Sequence, residues 1–179
     1  MTPRSFLTTL TCLLCLTISF GQTQSANSVM LSHIKQVYRH TNDYKNYKVI
    51  TIDDSEEFLG HATDGGGSLK GYYKSDTLKK IVVEVGLSNR VVQDEFYFDN
   101  GKLVFVYSTD KRYKINDKTG ELDYSKFGET ITGRYYFSND KLIETIFSDK
   151  ELEETKQKDA EDYLSSSNDY VKLLNGRRK

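Results

Sequence analysis

The sequence predicts an α+β fold: an antiparallel meander of about six or seven strands, with one helix before it and one after it. Three observations predict this. Apolar residues recur at helical spacing from Ser28 to about Tyr44, three similar hairpins follow, and a second helical stripe lies near the end of the chain. Strands grouped together between helices are typical of α+β proteins, so we expect the helices to cover one face of the sheet.

The two helices and the first strand are predicted from the periodicity of apolar residues. The first helix carries an apolar stripe of Met30, Leu31, Ile34, Val37 and Tyr38. The stretch "YKVITID" alternates as a strand does, and the acidic, glycine-rich stretch "DDSEEFLGHATDGGGS" after it predicts a loop. The last helix is predicted by one apolar face and a terminating Gly176, the face being Ala160, Tyr163, Leu164, Ser167, Val171 and Leu174.

The hairpins repeat a short unit of two aromatic residues, a turn and a Lys-Leu or Thr-Leu pair. The three copies read "YYKSDTL", "YFDNGKL" and "YFSNDKL". Their two-residue turns are Ser75-Asp76, Asn100-Gly101 and Asn139-Asp140, and Asn and Gly tolerate the positive φ that a type I′ turn requires. A polar stretch between Tyr107 and Gly133, with a turn near Gly120, predicts an additional short strand pair.

Tight turns determine the register of the hairpins. Phe98 is expected opposite Leu103, and Phe137 opposite Leu142. Side chains along a strand alternate between faces, so one face should carry Phe96, Phe98, Leu103 and Phe105, and the other Tyr97, Val104 and Val106.

The repeated unit resembles the MORN-like repeats of bacterial YwqK-type antitoxin proteins, over Tyr72–Leu78, Tyr97–Leu103 and Tyr136–Leu142. The copies are spaced 25 and 39 residues apart, which departs from the regular spacing of that family. The chain is also similar to small exported bacterial proteins with a terminal helix and such hairpins. The resemblance implies hairpins and carries no activity.

The first residues predict a secretory signal peptide over residues 1–21. Arg4 gives a basic start, an apolar stretch runs roughly from Phe6 to Ile18, and small residues precede Gln22. The apolar stretch is shorter than the ~20 residues of a membrane span, so we favour cleavage before Gln22 over a membrane anchor. We therefore expect a periplasmic or extracellular protein with one α+β domain over residues 22–179.

Composition restricts the classes of function. Cys12 and Cys15 both lie in the signal segment without the small residues that lipidation requires before them. Residues 22–179 thus offer neither a disulfide nor a thiol nucleophile. The formal net charge of −1 gives no reason to expect nucleic acid as a partner. His33 and His40 are two helical turns apart, too far to share a metal, and neither a cofactor nor a catalytic group is indicated.

The candidate binding residues are Tyr72, Tyr97 and Tyr136, which share the sheet face opposite Phe98 and Leu103. Exposed aromatic faces often mark interfaces, although loops or a helix could instead cover this one, or the sheet could curl and make it a second core. We expect a non-enzymatic exported protein that binds a protein or an envelope glycan through its sheet. The alternative is a cell-envelope enzyme or enzyme inhibitor that acts through carboxylates, whose pairing is spatial and not visible in the sequence.

Overall fold

A computed structural model describes residues 27–149 and 159–178, and the signal segment lies outside them. All seven strands form one antiparallel sheet in the order β1 to β7, which confirms the α+β class and the two terminal helices. The elements are α1 (27–43), β1 (Lys48–Ile52), α2 (Ser55–Leu59), β2 (Gly67–Lys74), β3 (Thr77–Leu87), β4 (Arg90–Asp99), β5 (Lys102–Ile115), β6 (Leu122–Ser138), β7 (Lys141–Phe147) and α3 (Asp159–Gly176).

The three predicted turns connect β2 to β3, β4 to β5 and β6 to β7. Both central residues of the second turn have positive φ, 49° at Asn100 and 77° at Gly101. The same holds at Asn139 and Asp140, with φ of 50° and 60°, while only Ser75 has positive φ in the first turn. These conformations match the twist of the flanking strands, which is why short polar residues occupy the turns.

Pairing beside the turns is as predicted, with Phe98 opposite Leu103 and Phe137 opposite Leu142. One residue further along, however, each of these three hairpins contains a bulge. The pairing continues with Tyr97 opposite Phe105, which leaves Val104 without a partner across the β4–β5 ladder. A bulge adds one residue to one strand and so shifts its alternation by one position.

The bulge corrects the predicted faces of two residues on β5. Phe105 was predicted beside Phe98 but packs with Tyr97, and Val106 was predicted beside Tyr97 but packs with Phe98. Val104 remains on the Tyr97 face, where it contacts the cluster around Ile34. Alternation counted from the turn therefore gives the correct face as far as Val104 and the wrong face from Phe105 onward.

The two terminal helices lie on opposite faces of the sheet, so the expectation that both cover one face is wrong. Leu174 and Tyr170 of α3 pack in the larger core, which contains Phe96 and Phe98. Ile34 of α1 packs in a smaller core on the other face, with Tyr97, Phe105 and Tyr136. Aromatic residues occur on both faces of β4 and β6, and each face is buried by its own helix.

A short helix, α2, replaces the predicted loop after β1. The Asp54 carboxylate accepts a hydrogen bond from the backbone nitrogen of Glu56 at 3.0 Å, which caps the first turn. Gly60 ends the helix in the left-handed conformation, with φ of 77°. Phe58 of α2 is buried in the larger core, so this acidic stretch is anchored by one aromatic side chain.

The polar stretch after Tyr107 continues β5 and β6 as one long hairpin and does not form a separate strand pair. β4 accompanies β5 only as far as Arg112, so residues 113–127 form a two-stranded arm beyond the rest of the sheet. The rings of Tyr113 and Phe127 stack on the arm with centroids 5.0 Å apart. None of the helices in the described part of the chain is long and apolar enough to cross a membrane.

Candidate functional site

The three tyrosines predicted to bind all lie on the sheet face against which α1 packs, which we call the α1 face. α1 covers Tyr97, which is 0% exposed, and Tyr136 is 4% exposed. Tyr72 is half-buried, and the ring of Tyr47 packs edge-on against it. The α1 face is therefore a second core beneath α1. Coverage of this face by a helix was one of the alternatives left open by the sequence. A role of these three tyrosines in binding stays a prediction.

Tyr97 belongs to a polar network beneath the end of α1. Its hydroxyl donates a short hydrogen bond to Glu95 Oε2 and accepts one from Asn42 Nδ2 at 3.0 Å. Lys80 Nζ donates to the same Glu95 oxygen at 3.0 Å and to Asn42 Oδ1 at 3.2 Å. Gln93 Nε2 donates to the other carboxylate oxygen of Glu95 at 3.3 Å. The network connects α1 to β3 and β4.

The network changes the acidity of Tyr97. Burial raises the pKa of the Tyr97 phenol far above its ordinary value, and its hydrogen bond to the Glu95 carboxylate raises this pKa further. Tyr97 is consequently a neutral donor at all physiological pH values. Since Lys80 already pairs with Glu95, this cluster has the properties of a structural connection and not of an acid–base centre.

Beside α1, the α1 face opens into a cleft of about 290 Å³. We call it the aromatic cleft because four of its eight lining residues are Phe or Tyr. The Phe105 and Tyr136 rings lie with centroids 4.9 Å apart, and the Tyr38 ring meets Phe105 edge-on at 5.5 Å. The lining is Ile34, Lys35, Tyr38, Arg39, Phe105, Tyr107, Arg134 and Tyr136.

The charged residues of the aromatic cleft are all cationic. Lys35 and Arg39 come from consecutive turns of α1, and Arg134 comes from β6. The Arg134 guanidinium lies 5.3 Å from the centre of the Tyr107 ring. Burial raises the pKa of Tyr136, and the positive charge of Arg134 acts in the opposite direction. This combination of aromatic surface and positive charge is the most distinctive chemistry of the α1 face.

Tyr72 lies in a different cleft, on the other side of α1. That cleft has a volume of about 350 Å³, and Tyr47, Val49 and Lys80 also line it. Lys80 Nζ lies 5.4 Å from the centres of both the Tyr72 and Tyr97 rings. The structure thus separates the three predicted tyrosines, placing Tyr136 in the aromatic cleft, Tyr97 beneath α1 and Tyr72 in this second cleft.

Two acidic residues line a third cleft, of about 210 Å³, on the face that α3 covers. Asp94 of β4 and Asp162 of α3 both line it, together with Ser166. The hydroxyl of Tyr163 donates a hydrogen bond to Asp94 Oδ1 at 3.3 Å. Burial raises the pKa of Tyr170, and the negative charge of Asp94 raises it further. Asp94 and Asp162 thus line one cleft, and a role for them as a catalytic pair stays a prediction.

The acidic stretch of α2 serves packing in the described structure. Glu57 accepts three hydrogen bonds from the Arg177 guanidinium, the shortest at 2.6 Å, which ties α2 to the end of α3. His33 Nε2 lies 3.0 Å from Asp99 Oδ2 at the protein surface. Across residues 27–149 and 159–178, no group of three or more His, Cys, Asp and Glu residues is placed to hold a metal ion.

Sequence reasoning did not identify the cationic residues of the aromatic cleft. A signal for Arg134 was present, because it precedes Tyr136 by two positions on one strand and must share its face. Lys35 and Arg39 lie on the helix beside the apolar stripe and resemble ordinary solvent-facing residues.

Comparison of the chain with protein-family models, with curated proteins and with solved structures finds no match.

Proposed function

We propose that this chain is an exported, non-enzymatic binding protein that recognises its partner, a protein or an envelope glycan, through the α1 face of its sheet. Export is proposed from the signal segment before Gln22. Binding is supported by one observation above all: the aromatic cleft, which combines aromatic walls with three cationic side chains. Clefts with mostly apolar walls and a few polar groups are typical binding sites.

The contacts around the cleft favour recognition over catalysis. The titratable side chains of its lining are Lys35, Arg39 and Arg134 together with three tyrosines, and none of these is a carboxylate or a histidine. A general base near neutral pH is most often His, Asp or Glu, so the lining lacks the usual proton acceptors. Aromatic and Arg side chains are, by contrast, the residues that most often dominate binding energy at interfaces.

Charge reversal at the cleft tests this proposal. The doubly substituted Lys35→Glu/Arg39→Glu variant changes two exposed positions of α1. The control Lys48→Glu/Lys114→Glu makes the same change of net charge at exposed positions outside the cleft. Each variant and the unmodified protein would be used to capture partners from an envelope extract. We expect the cleft variant to lose its partner and the control to retain it. Equal recovery by all three proteins would contradict the proposal.

The second candidate function is a cell-envelope enzyme, favoured by the presence of both Asp94 and Asp162 in the lining of the α3-side cleft. Paired carboxylates can act as acid and base in glycoside hydrolysis. Asp162→Asn keeps the shape of an exposed side chain and removes its charge. Hydrolysis of envelope glycan by the unmodified protein, lost in Asp162→Asn and retained in Lys48→Glu/Lys114→Glu, would favour the enzyme over the binding protein.

A further inference from the structure

The cations of the aromatic cleft have no anionic partner in the described structure. No ion pair is formed by Lys35, Arg39 or Arg134 with any carboxylate of residues 27–149 and 159–178. The negative charges of Glu95 and Glu144 act on Tyr38 and Tyr136, but neither glutamate is itself a lining residue of the cleft. Glu95 pairs with Lys80, and Glu144 lies opposite Tyr136 on β7, outside the lining. The cleft therefore holds three cations that have no ion-pair partner among the described residues.

The apolar part of the cleft is preorganised. Ile34, Phe105 and Tyr136 are buried in the smaller core and are held by α1 above and by the strands below. The Tyr38 ring, which is 37% exposed, contacts both Tyr97, at 5.0 Å, and Phe105. A ligand that enters meets rigid aromatic surface, so little conformational entropy is lost from the protein when it binds.

The same geometry argues against a cationic ligand. Aromatic rings can bind cations over their faces, but the guanidinium of Arg134 already lies over Tyr107. A second cation in this cleft would be repelled by Arg134, Lys35 and Arg39. An anionic group would instead accept charge-assisted hydrogen bonds, and Arg134 offers the planar donor geometry that carboxylates and phosphates favour.

From these contacts we infer that the aromatic cleft binds a small organic anion: a carboxylate or phosphate attached to an apolar, ring-bearing body. The anionic group lies against Arg134, with Lys35 and Arg39 at the entrance, and the ring packs on Phe105, Tyr38 and Tyr136. The volume of about 290 Å³ suits a ligand of one or two rings. This inference rests on the proposed function, since it assigns a ligand class to the same face.

The test uses 2-naphthoate and its neutral analogue 2-naphthamide as probes, with affinities measured by calorimetry or NMR titration at low salt. We expect 2-naphthoate to bind at least about tenfold more tightly than 2-naphthamide, because only the carboxylate makes the charge-assisted contacts. Equal affinities, or no binding of 2-naphthoate, would overturn the ligand class.

Two variants assign the charge effect to the cleft. Arg134→Gln should weaken 2-naphthoate binding about tenfold and leave 2-naphthamide nearly unchanged. The control Lys111→Gln removes another cation that lies over an aromatic ring, 5.9 Å from the centre of Phe127, and should change neither affinity. If Arg134→Gln lowers stability, Lys35→Gln/Arg39→Gln tests the other two cations of the cleft, at exposed positions, with Lys48→Gln/Lys114→Gln as its control. Equal effects of cleft and control variants would overturn the inference.

The two proposals fail in distinguishable ways. If charge reversal at Lys35 and Arg39 abolishes partner capture but 2-naphthoate and 2-naphthamide bind equally, the ligand class is wrong and the binding face stands. If 2-naphthoate binds selectively but partner capture is insensitive to the reversal, the cleft is a small-molecule site and the proposed partner surface is wrong.

Discussion

Replacing Tyr97 by Phe removes one hydroxyl and leaves the ring in place. The change breaks the hydrogen bond to the Glu95 carboxylate and the one from Asn42 Nδ2 at 3.0 Å. A hydrogen bond to a charged group contributes about 1.5–3 kcal/mol, and a neutral one about 1 kcal/mol. Glu95 retains Lys80 and is partly exposed to solvent, which favours the low end of this range. We expect the free energy of unfolding to fall by about 2 kcal/mol.

The matched control makes the same substitution at Tyr73, which is 1% exposed in the larger core. Its hydroxyl is buried and has no hydrogen-bond partner among the described residues. An unsatisfied buried donor costs about 1–3 kcal/mol, so Tyr73→Phe should leave stability unchanged or raise it by about 1 kcal/mol. Urea denaturation with an unchanged m value measures both effects. A loss at Tyr73→Phe equal to that at Tyr97→Phe would refute the reasoning.

Three further predictions concern packing, pH and processing. Phe98→Ala, at a site 3% exposed, should cost about 3–5 kcal/mol of unfolding free energy, whereas Phe127→Ala, 47% exposed on the arm, should cost less than about 1 kcal/mol in the same urea assay. Burial raises the pKa of Tyr97 in the folded protein above the value in the unfolded chain. The neutral phenol therefore contributes its full stabilisation below about pH 10, and this contribution is lost as the pH rises further. Urea midpoints measured between about pH 8 and 11 should fall with increasing pH. Intact-mass analysis of the exported form should give a chain that begins at Gln22, and a lipid-modified cysteine would contradict this.

The residues around each turn were sufficient to predict the hairpins but not to predict the bulges beside them. Asn, Asp and Gly tolerate positive φ better than other residues, so the turns at Asn100-Gly101 and Asn139-Asp140 and the pairs next to them could be predicted directly. The bulge at Val104 was not visible because Leu103, Val104, Phe105 and Val106 are all apolar. In such an apolar run, odd-numbered or even-numbered residues could equally well face α1, and only tertiary packing against α1 determines which of them do.

The sequence also did not allow us to predict which face of the sheet each terminal helix covers. The apolar stripes of α1 and α3 show that each helix buries one side, but a stripe contains no information about its partner. The decisive contacts, such as Ile34 with Tyr97 and Leu174 with the core around Phe98, join segments far apart in the chain. The capped helix α2 was detectable in principle, because Asp54 precedes two acidic residues in the pattern of a helix start.

The candidate site was predicted as a face but not as a cleft. Alternation placed Tyr72, Tyr97 and Tyr136 together, and it could have placed Arg134 beside Tyr136. The approach of Lys35 and Arg39 depends on how α1 crosses the strands, which is a property of the packed structure.

The central claim, that the partner binds at the aromatic cleft, is tested most directly by the acetylation rate of Lys35 with and without the captured partner. Lys35 is exposed at the edge of the cleft, and Lys114 is an exposed reference at the arm. Bound partner should slow acetylation of Lys35 several-fold and leave Lys114 unchanged. An unchanged rate at Lys35, together with protection of Lys114, would contradict the claim and place the binding surface on the arm.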